Sequence, residues 1–174
     1  MKILIANRGE IAVRIMQACR VLGFSSVAVY SDIDREALHT RYADEAVYIG
    51  PTPASQSYLS IDAILSAAHK SGVDAVHPGY GFLSENSVFA EKVEAEGFIF
   101  IGPTPETIAL TGDKLAARGI AAEAGVPILP GCDFAISNNH ILESIGAEIG
   151  YPVLIKAVSG GGGRGIRLAR SKDE

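Results

Sequence analysis

Short apolar runs rich in β-branched residues recur through the first part of the chain, and segments with helical periodicity separate most of them. The runs lie at residues 3–6, 27–30, 46–49, 75–77 and 98–101. Alternation of such strands with amphipathic helices is typical of a parallel sheet that is covered by helices on both faces. The pattern therefore predicts an α/β fold built on a doubly wound, Rossmann-like parallel sheet.

Three helices are predicted between these strands, over residues 10–22, from Ser60 to near Gly72, and over 84–96. In the first helix, the apolar residues at helical spacing define one face that we expect to be buried, comprising Ile11, Ile15, Cys19 and Leu22.

The pattern changes after residue 103. Thr104 followed by Pro105 is typical of a helix start, and Gly112 followed by Asp113 ends one helix and begins the next. We therefore expect a first domain over residues 1–103, a helical connector over 104–127 and part of a second domain over 128–174. In this last part, one helix is predicted over 138–149 and two strands at 153–157 and 166–169.

Composition and charge exclude several classes of partner. The formal net charge is −5, so no basic face is expected and nucleic acid is not an expected partner. No run approaches the roughly 18 apolar residues of a membrane helix, so no membrane association is expected. Cys19 and Cys132 fit no metal-binding or CxxC spacing, which favours a reducing compartment, and the cytoplasm is the expected location.

Four successive glycines, Gly160 to Gly163, stand between the last two predicted strands, with Lys156 before them and Arg164 after them. One interpretation is a flexible linker or chain end. The other is the tip of a hairpin whose bare backbone N–H groups bind phosphate, helped by the Lys156 ammonium. The segment is not a Walker P-loop, because Ile166 and Arg167 follow where that motif needs Lys and then Ser or Thr.

A second polar segment, residues 77–86, follows the fourth predicted strand, at the sheet edge where ligands collect in α/β folds. Its prolines and glycines form a tight turn on either interpretation. The density of polar side chains in it favours a binding site, and they are His77, Tyr80, Ser84 and Glu85. Lys114, in the first turn of a predicted helix, opposes the helix dipole, which weakly indicates a role beyond stability, although a solvated lysine explains it as well.

Other polar residues are assigned to the surface. The positions of a GxGxxG motif hold Ala6, Arg8 and Ile11, which block close approach of a pyrophosphate, so a dinucleotide is not expected. Asp32 and Asp34 are then expected to cap or solvate a loop. The histidines with no partner spacing are expected to be on the surface or already hydrogen-bonded, and they are His39, His69 and His140.

Taken together, segments 5–12, 77–86, 98–103, 112–114 and 156–165 resemble the N-terminal part of the biotin carboxylase family, and the likeness extends over essentially all of the chain. The resemblance implies a pre-ATP-grasp domain over 1–103, followed by the connector and the start of an ATP-grasp lid. It implies an enzyme that uses ATP, Mg²⁺ (or Mn²⁺) and bicarbonate to carboxylate biotin. The implied partners are a biotin carboxyl carrier protein or domain and a carboxyltransferase, and the enzyme is expected to be a homodimer.

The resemblance also implies roles for single residues. The positions that match the family's ATP-binding motifs are Lys114, Lys156, Ser159, Gly160, Gly161, Gly162, Gly163, Arg164 and Gly165. Tyr80 and Glu85 are candidates for the biotin site, and Arg14 is a candidate for the dimer contact. The resemblance places no catalytic residue and no metal ligand within residues 1–174, so this chain alone is expected to be inactive.

Two other functions stay open. The chain can be a non-catalytic or truncated module that dimerises through its first domain, or it can belong to another ATP-grasp ligase such as a carbamoyl-phosphate synthase. The final acceptor of the carboxyl group is not determined by the sequence.

Overall fold

The computed structural model describes residues 1–132, 134–136, 138–157 and 165–174. The chain divides into two compact units, Met1–Ala109 and Leu110–Glu174. None of the helices in these described stretches combines the length and the apolar character that a membrane span needs.

The first unit is built on a five-stranded sheet with the order β3-β2-β1-β4-β5, in which every neighbouring pair is parallel. The strands are β1 (Lys2–Ile5), β2 (Ser25–Ser31), β3 (Glu45–Gly50), β4 (Ala75–His77) and β5 (Ile99–Phe100). All five predicted strands are confirmed, and with them the predicted α/β class.

Both faces of the sheet are covered, as a doubly wound fold requires. Side chains alternate between the faces of a strand, and β1 shows this directly. Leu4 packs in the core that faces helices α3 (Ile61–Ser71) and α4 (Ser87–Ala95). Ile3 and Ile5 pack on the opposite face, against helix α1 (Gly9–Val21).

Helix α1 confirms the predicted element and part of its predicted inner face, because Cys19 is buried and Ile15, partly buried, packs against the core. Ala12, Met16 and Cys19 are its buried residues, whereas Leu22 is 65% exposed. The helix ends at Val21, so Leu22 lies in the turn that follows and no longer obeys the helical spacing. The sequence analysis also missed α2 (Leu38–Tyr42), whose five residues are too short for a periodic signal.

Capping side chains determine where helices α3 and α4 begin. The Ser60 hydroxyl accepts a hydrogen bond from the Ala63 N–H, and Gly72 ends α3 in a left-handed conformation, as the sequence indicated. Helix α4 begins three residues later than predicted, because the side chain of Asn86, not a residue near 84, accepts from the first turn, at the Phe89 N–H.

Helix α5 (Pro105–Gly112) begins in the first unit, and the division between the two units falls within it. The second unit contains α6 (Lys114–Glu123), α7 (Asn139–Ile149) and the antiparallel pair of β6 (Val153–Lys156) and β7 (Ile166–Ala169). The Asp113 carboxylate accepts from the N–H groups of Leu115 and Ala116, which explains why α6 begins where the sequence predicted.

Candidate functional site

The carboxyl ends of β1, β2 and β4 meet at one edge of the parallel sheet of the first unit. The order of strands along the sheet reverses between β1 and β4, since β1 continues to β2 on one side and β4 lies on the other. In open α/β sheets, ligands bind in the crevice outside the carboxyl ends at such a reversal. The residues that follow β1 and β4 therefore define the candidate site in this unit.

Asn7 bridges this crevice. Its side-chain nitrogen Nδ2 donates hydrogen bonds to the backbone oxygen of Pro78 at 2.8 Å and to that of Tyr80 at 2.9 Å. Its Oδ1 accepts from the Arg8 N–H at 2.9 Å. Asn7 is only 2% exposed, so the loop after β4 is tied to the end of β1 through a buried amide.

The loop approaches Asn7 closely because residue 79 is glycine. Gly79 has φ +67°, which favours glycine, and a Cβ at this position would lie 2.6 Å from Nδ2 of Asn7 and 3.0 Å from Cγ2 of Ile11. Any larger residue would have to displace the Asn7 amide.

Asp34 lies beside this bridge, and the expectation that it caps or solvates a loop is wrong. It is 4% exposed, and Arg8 binds it through Nε at 2.6 Å and through a second, short contact from Nη2. The Tyr58 hydroxyl donates to the same carboxylate at 2.7 Å. Burial alone would raise the pKa of Asp34, but the hydrogen bonds from Arg8 and Tyr58 outweigh burial and hold the pKa below its usual range. Asp32, by contrast, is exposed and lies 3.8 Å from Arg35.

Tyr58 connects Asp34 to the loop after β4. Its hydroxyl also accepts from the Ser31 N–H at 3.2 Å, and burial, followed by the hydrogen bond to Asp34, raises the pKa of Tyr58 to about 12. The ring of Tyr58 stacks on that of Phe82 with centroids 5.2 Å apart. Phe82 has φ 44°, an unusual conformation for a residue with a side chain.

The two biotin-site candidates, Tyr80 and Glu85, both lie in this segment and both are exposed, Tyr80 by 67%. His77 accepts a hydrogen bond at Nδ1 from the Gly79 N–H at 3.0 Å, and burial lowers its pKa, so the imidazole is held neutral. His77 is the last residue of β4, and Tyr80 and Glu85 lie in the segment that follows it.

His39 is buried and hydrogen-bonded rather than on the surface, which is one of the two expected alternatives. It is fully buried, with Nε2 3.3 Å from the backbone oxygen of Val29, and among the described residues Nδ1 has no hydrogen-bond partner. Burial lowers the pKa of His39, and the charged groups that face it are Asp34 and Arg8. His69 is exposed and pairs with Glu96 at 2.9 Å, as expected for a surface histidine with a partner, and His140 is exposed.

Arg14, the candidate for a dimer contact, is exposed on α1. It lines a shallow groove with residues of the first helix and with Leu38 of α2, and the others are Gly9, Glu10, Ile11, Val13 and Gln17.

In the second unit, Lys156 is the last residue of β6, is exposed, and pairs with Ile166. One step further, the Ala157 N–H donates to the backbone oxygen of Gly165 at 2.9 Å, and Gly165 has φ +74°. The strands before and after the glycines are therefore antiparallel, as the sequence predicted. The remaining candidates of the loop lie outside the described residues, and they are Ser159, Gly160, Gly161, Gly162, Gly163 and Arg164.

Lys114 is exposed and is the first residue of α6, directly after the capping Asp113. Within the stretches that the structure describes, no cluster of three or more His, Cys, Asp or Glu side chains could hold a metal ion.

Sequence reasoning missed Asn7, Asp34 and Tyr58 as members of one network. The local signal for two of them was position, because Asn7 lies shortly after β1 ends at Ile5 and Asp34 shortly after β2 ends at Ser31.

Two family models match the chain. Residues 1–108 match the model of the biotin carboxylase N-terminal domain, which is more than half of the chain. The chain belongs to the biotin carboxylase family. Residues 113–174 match the model of the ATP-binding domain of the carbamoyl-phosphate synthase L chain.

Individual relatives cover the whole chain. The biotin carboxylase of Allochromatium vinosum is 58% identical over 173 residues, which are 98% of this chain and 38% of that protein. The complex of biotin carboxylase from Campylobacter jejuni with β,γ-ATP is 45% identical, has a TM-score of 0.94, and matches over 99% of this chain and 39% of that one. The biotin carboxylase domain dimer of the Hydrogenobacter thermophilus 2-oxoglutarate carboxylase, in complex with MgADP, ADP and bicarbonate, is 46% identical with a TM-score of 0.92 and matches over 99% of this chain and 38% of that one. The chain thus spans about two fifths of the length of the biotin carboxylases it matches.

Proposed function

We propose that this chain forms the N-terminal part of a biotin carboxylase, which uses ATP and bicarbonate to carboxylate biotin on a carrier protein or domain. The proposal rests on one observation. The same chain contains the biotin carboxylase N-terminal domain and a hairpin in which Lys156 precedes a run of glycines. The solved neighbours named above were obtained with β,γ-ATP, MgADP and bicarbonate, which supports the same substrates here.

The proposal divides the chain into a pre-ATP-grasp domain over 1–103, a helical connector over 104–127 and the first part of an ATP-grasp lid over 128–174. ATP contacts are assigned to Lys114, to Lys156 and to Ser159 through Gly165. A carboxyltransferase would use the carboxylated biotin, and we place the enzyme in the cytoplasm.

In the proposed reaction, an oxygen of bicarbonate attacks the γ-phosphorus of ATP and ADP departs, which gives carboxyphosphate. The carboxyl group then passes to N1 of biotin, which loses a proton, and phosphate is released. The Lys156 ammonium and the glycine N–H groups would hold the phosphates in place and offset their charge. We assign the ligands of the Mg²⁺ ion that the family resemblance implies to residues outside 1–174.

The test is Lys156→Ala in a full-length protein that carries this chain as its N-terminal part. Loss of a preorganised cation at the reacting phosphates should reduce bicarbonate-dependent ATP hydrolysis by about a hundredfold or more. Lys172→Ala is the matched control, because Lys172 is exposed in the same unit but lies after β7, away from the loop. Wild-type hydrolysis by the Lys156 variant would refute the assignment.

A second candidate is another ATP-grasp ligase, which the match of residues 113–174 to the carbamoyl-phosphate synthase ATP-binding domain favours. Free biotin discriminates between the two. Biotin-dependent consumption of bicarbonate and ATP by the full-length protein supports the carboxylase, and ATP use that ignores biotin supports the other ligase.

A third candidate is a module that only dimerises, and the groove beside Arg14 favours it. Calorimetric titration of the 174-residue chain with ATP, together with size-exclusion chromatography, separates it from the others. A dimer that does not bind ATP would support the module.

A further inference from the structure

The loop Pro78 to Phe82 has an unusual backbone, which suits its two glycines but not the side chain of Phe82. Gly79 and Gly81 have φ of +67° and +69°, and Phe82 adopts φ 44°. A residue with a Cβ is strained in this region, so Phe82 persists here only because neighbouring groups hold it.

The first of these groups is Asn7. Both carbonyl oxygens that its Nδ2 binds, those of Pro78 and Tyr80, belong to the loop, and they flank Gly79. The amide is buried at 2% exposure, and its oxygen is used by the Arg8 N–H. A buried amide with its donors and acceptor engaged fixes the peptide groups 78–79 and 80–81.

The second group is the Tyr58 ring. It stacks on Phe82 and is itself held by hydrogen bonds of its hydroxyl to Asp34 and from the Ser31 N–H. Arg8 completes this anchor by its double contact with Asp34. The Asn7 amide thus holds the loop at residues 78 and 80, and the Tyr58 ring holds it at Phe82.

Tyr80 contrasts with its surroundings. Its backbone oxygen is bound at 2.9 Å, but its side chain is 67% exposed. The anchors therefore immobilise the backbone at the carboxyl end of β4 and leave the phenol ring accessible at the strand-order reversal. This is the arrangement expected where a side chain must meet a ligand in a fixed position.

We infer that Asn7 is a positioning residue, which holds the 78–82 loop so that the Tyr80 side chain meets biotin. The inference rests on the proposed function for the identity of the ligand. Asn7 acts through Tyr80 and touches no reacting atom.

Asn7→Asp in the full-length protein tests this inference. The substitution keeps the size and the acceptor for the Arg8 N–H, but it places a carboxylate oxygen against the two carbonyl oxygens of the loop. We expect kcat/KM for biotin to fall by about 10- to 100-fold, mostly through KM. Bicarbonate-dependent ATP hydrolysis without biotin should stay within about twofold of wild type.

Asn138→Asp is the matched control, because it makes the same chemical change in the second unit, outside segment 77–86. The Asn138 Oδ1 caps α7 by accepting from the Ile141 N–H at 3.0 Å, and aspartate caps a helix equally well. This variant should leave kcat/KM for biotin unchanged. An equal loss in both variants would overturn the inference.

A double-mutant cycle separates positioning from a general structural role. In a Tyr80→Ala background there is no ring left to position, so adding Asn7→Asp should change kcat/KM for biotin by less than about twofold. If the second substitution costs as much there as in wild type, Asn7 does not act through Tyr80.

Hydrogen exchange of the 174-residue chain gives a readout that does not depend on activity. Amides in residues 78–84, including the Ser84 N–H that binds the Gly81 oxygen, should exchange at least about tenfold faster in Asn7→Asp than in Asn138→Asp. If Asn7→Asp does not fold, Asn7→Ala removes the donors without adding charge, and the same comparison applies.

The outcomes distinguish the proposed function from the positioning role of Asn7. Absence of bicarbonate-dependent ATP hydrolysis in the wild-type full-length protein would refute the proposed function. Normal hydrolysis together with unchanged biotin kinetics and unchanged exchange in the Asn7 variants would refute only the positioning role.

Discussion

Asp34 shows how a residue assigned to the surface becomes part of the core. Its side chain is 6% exposed, while the Arg8 side chain that binds it is 44% exposed. A buried carboxylate is stable only when hydrogen-bonded and paired, and Arg8 and Tyr58 together meet that need. The network therefore stabilises the fold and supports the loop that carries Tyr80.

We expect Asp34→Asn to lower the free energy of unfolding at pH 7 by about 1–3 kcal/mol, because it leaves the Arg8 charge without its partner. Asp32→Asn is the control, because that carboxylate is exposed and its contact with Arg35 is long, at 3.8 Å. This substitution should change the free energy of unfolding by less than about 0.5 kcal/mol. Urea denaturation measures both. Because the pKa of Asp34 is depressed in the folded state, the difference between Asp34→Asn and wild type should be complete above the ordinary pKa of 3.8 and should vanish as the pH falls further. A difference that is constant with pH would contradict the pairing.

The free energy of unfolding should also depend on pH through His39, and it should again fall as the pH falls. Burial holds its pKa below 6.5, so the folded state keeps the ring neutral while the unfolded state takes up a proton. Stability from this effect is present above about pH 6.5 and is lost as the pH falls toward the folded-state pKa. His77, whose pKa is also lowered by burial, contributes in the same direction.

His39→Gln should reduce this loss, because glutamine can donate to the Val29 oxygen without titrating. We expect the free energy of unfolding of the variant to fall less between pH 7 and pH 5 than that of wild type, as followed by thermal unfolding. An unchanged pH dependence would show that His39 does not titrate between the two states.

At the scale of elements, the sequence predicted well whatever depends on nearby residues. Strand alternation and side-chain caps act over a few positions, and they placed all five strands, α3 and α6 close to their observed bounds. What the sequence missed depends on distant contacts. Asp34 lies 26 residues from Arg8 and 24 from Tyr58, and Asn7 lies 71 from Pro78, so no local pattern marks these pairs.

The cap of α3 offers a test of the local rules. Ser60→Ala removes the acceptor for the Ala63 N–H and should lower the free energy of unfolding by about 1 kcal/mol. Ser66→Ala is the control, because Ser66 is exposed within the same helix, where alanine has the higher helix propensity. Equal destabilisation of the two variants by chemical denaturation would exclude a capping role for Ser60.

At the scale of the whole molecule, the groove beside Arg14 bears on assembly. If the proposed homodimer forms through this face, Arg14→Glu should raise the dimer dissociation constant about tenfold or more. Lys70→Glu is the matched charge reversal, since Lys70 is exposed on α3, which covers the opposite face of the sheet. Sedimentation equilibrium of the full-length protein measures both variants, and equal dissociation constants would argue against this face.

Because Asn7 and Gly79 are in contact, the residue tolerated at each of these two positions, which are far apart in the sequence, depends on the residue at the other. A methyl group at 79 would fall 2.6 Å from the Asn7 nitrogen, so alanine there would need a smaller or retracted side chain at 7, besides tolerating the strain of φ +67°. In a library that randomises both codons, the functional clones should carry correlated pairs, and each single substitution should be depleted in the background of the other native residue.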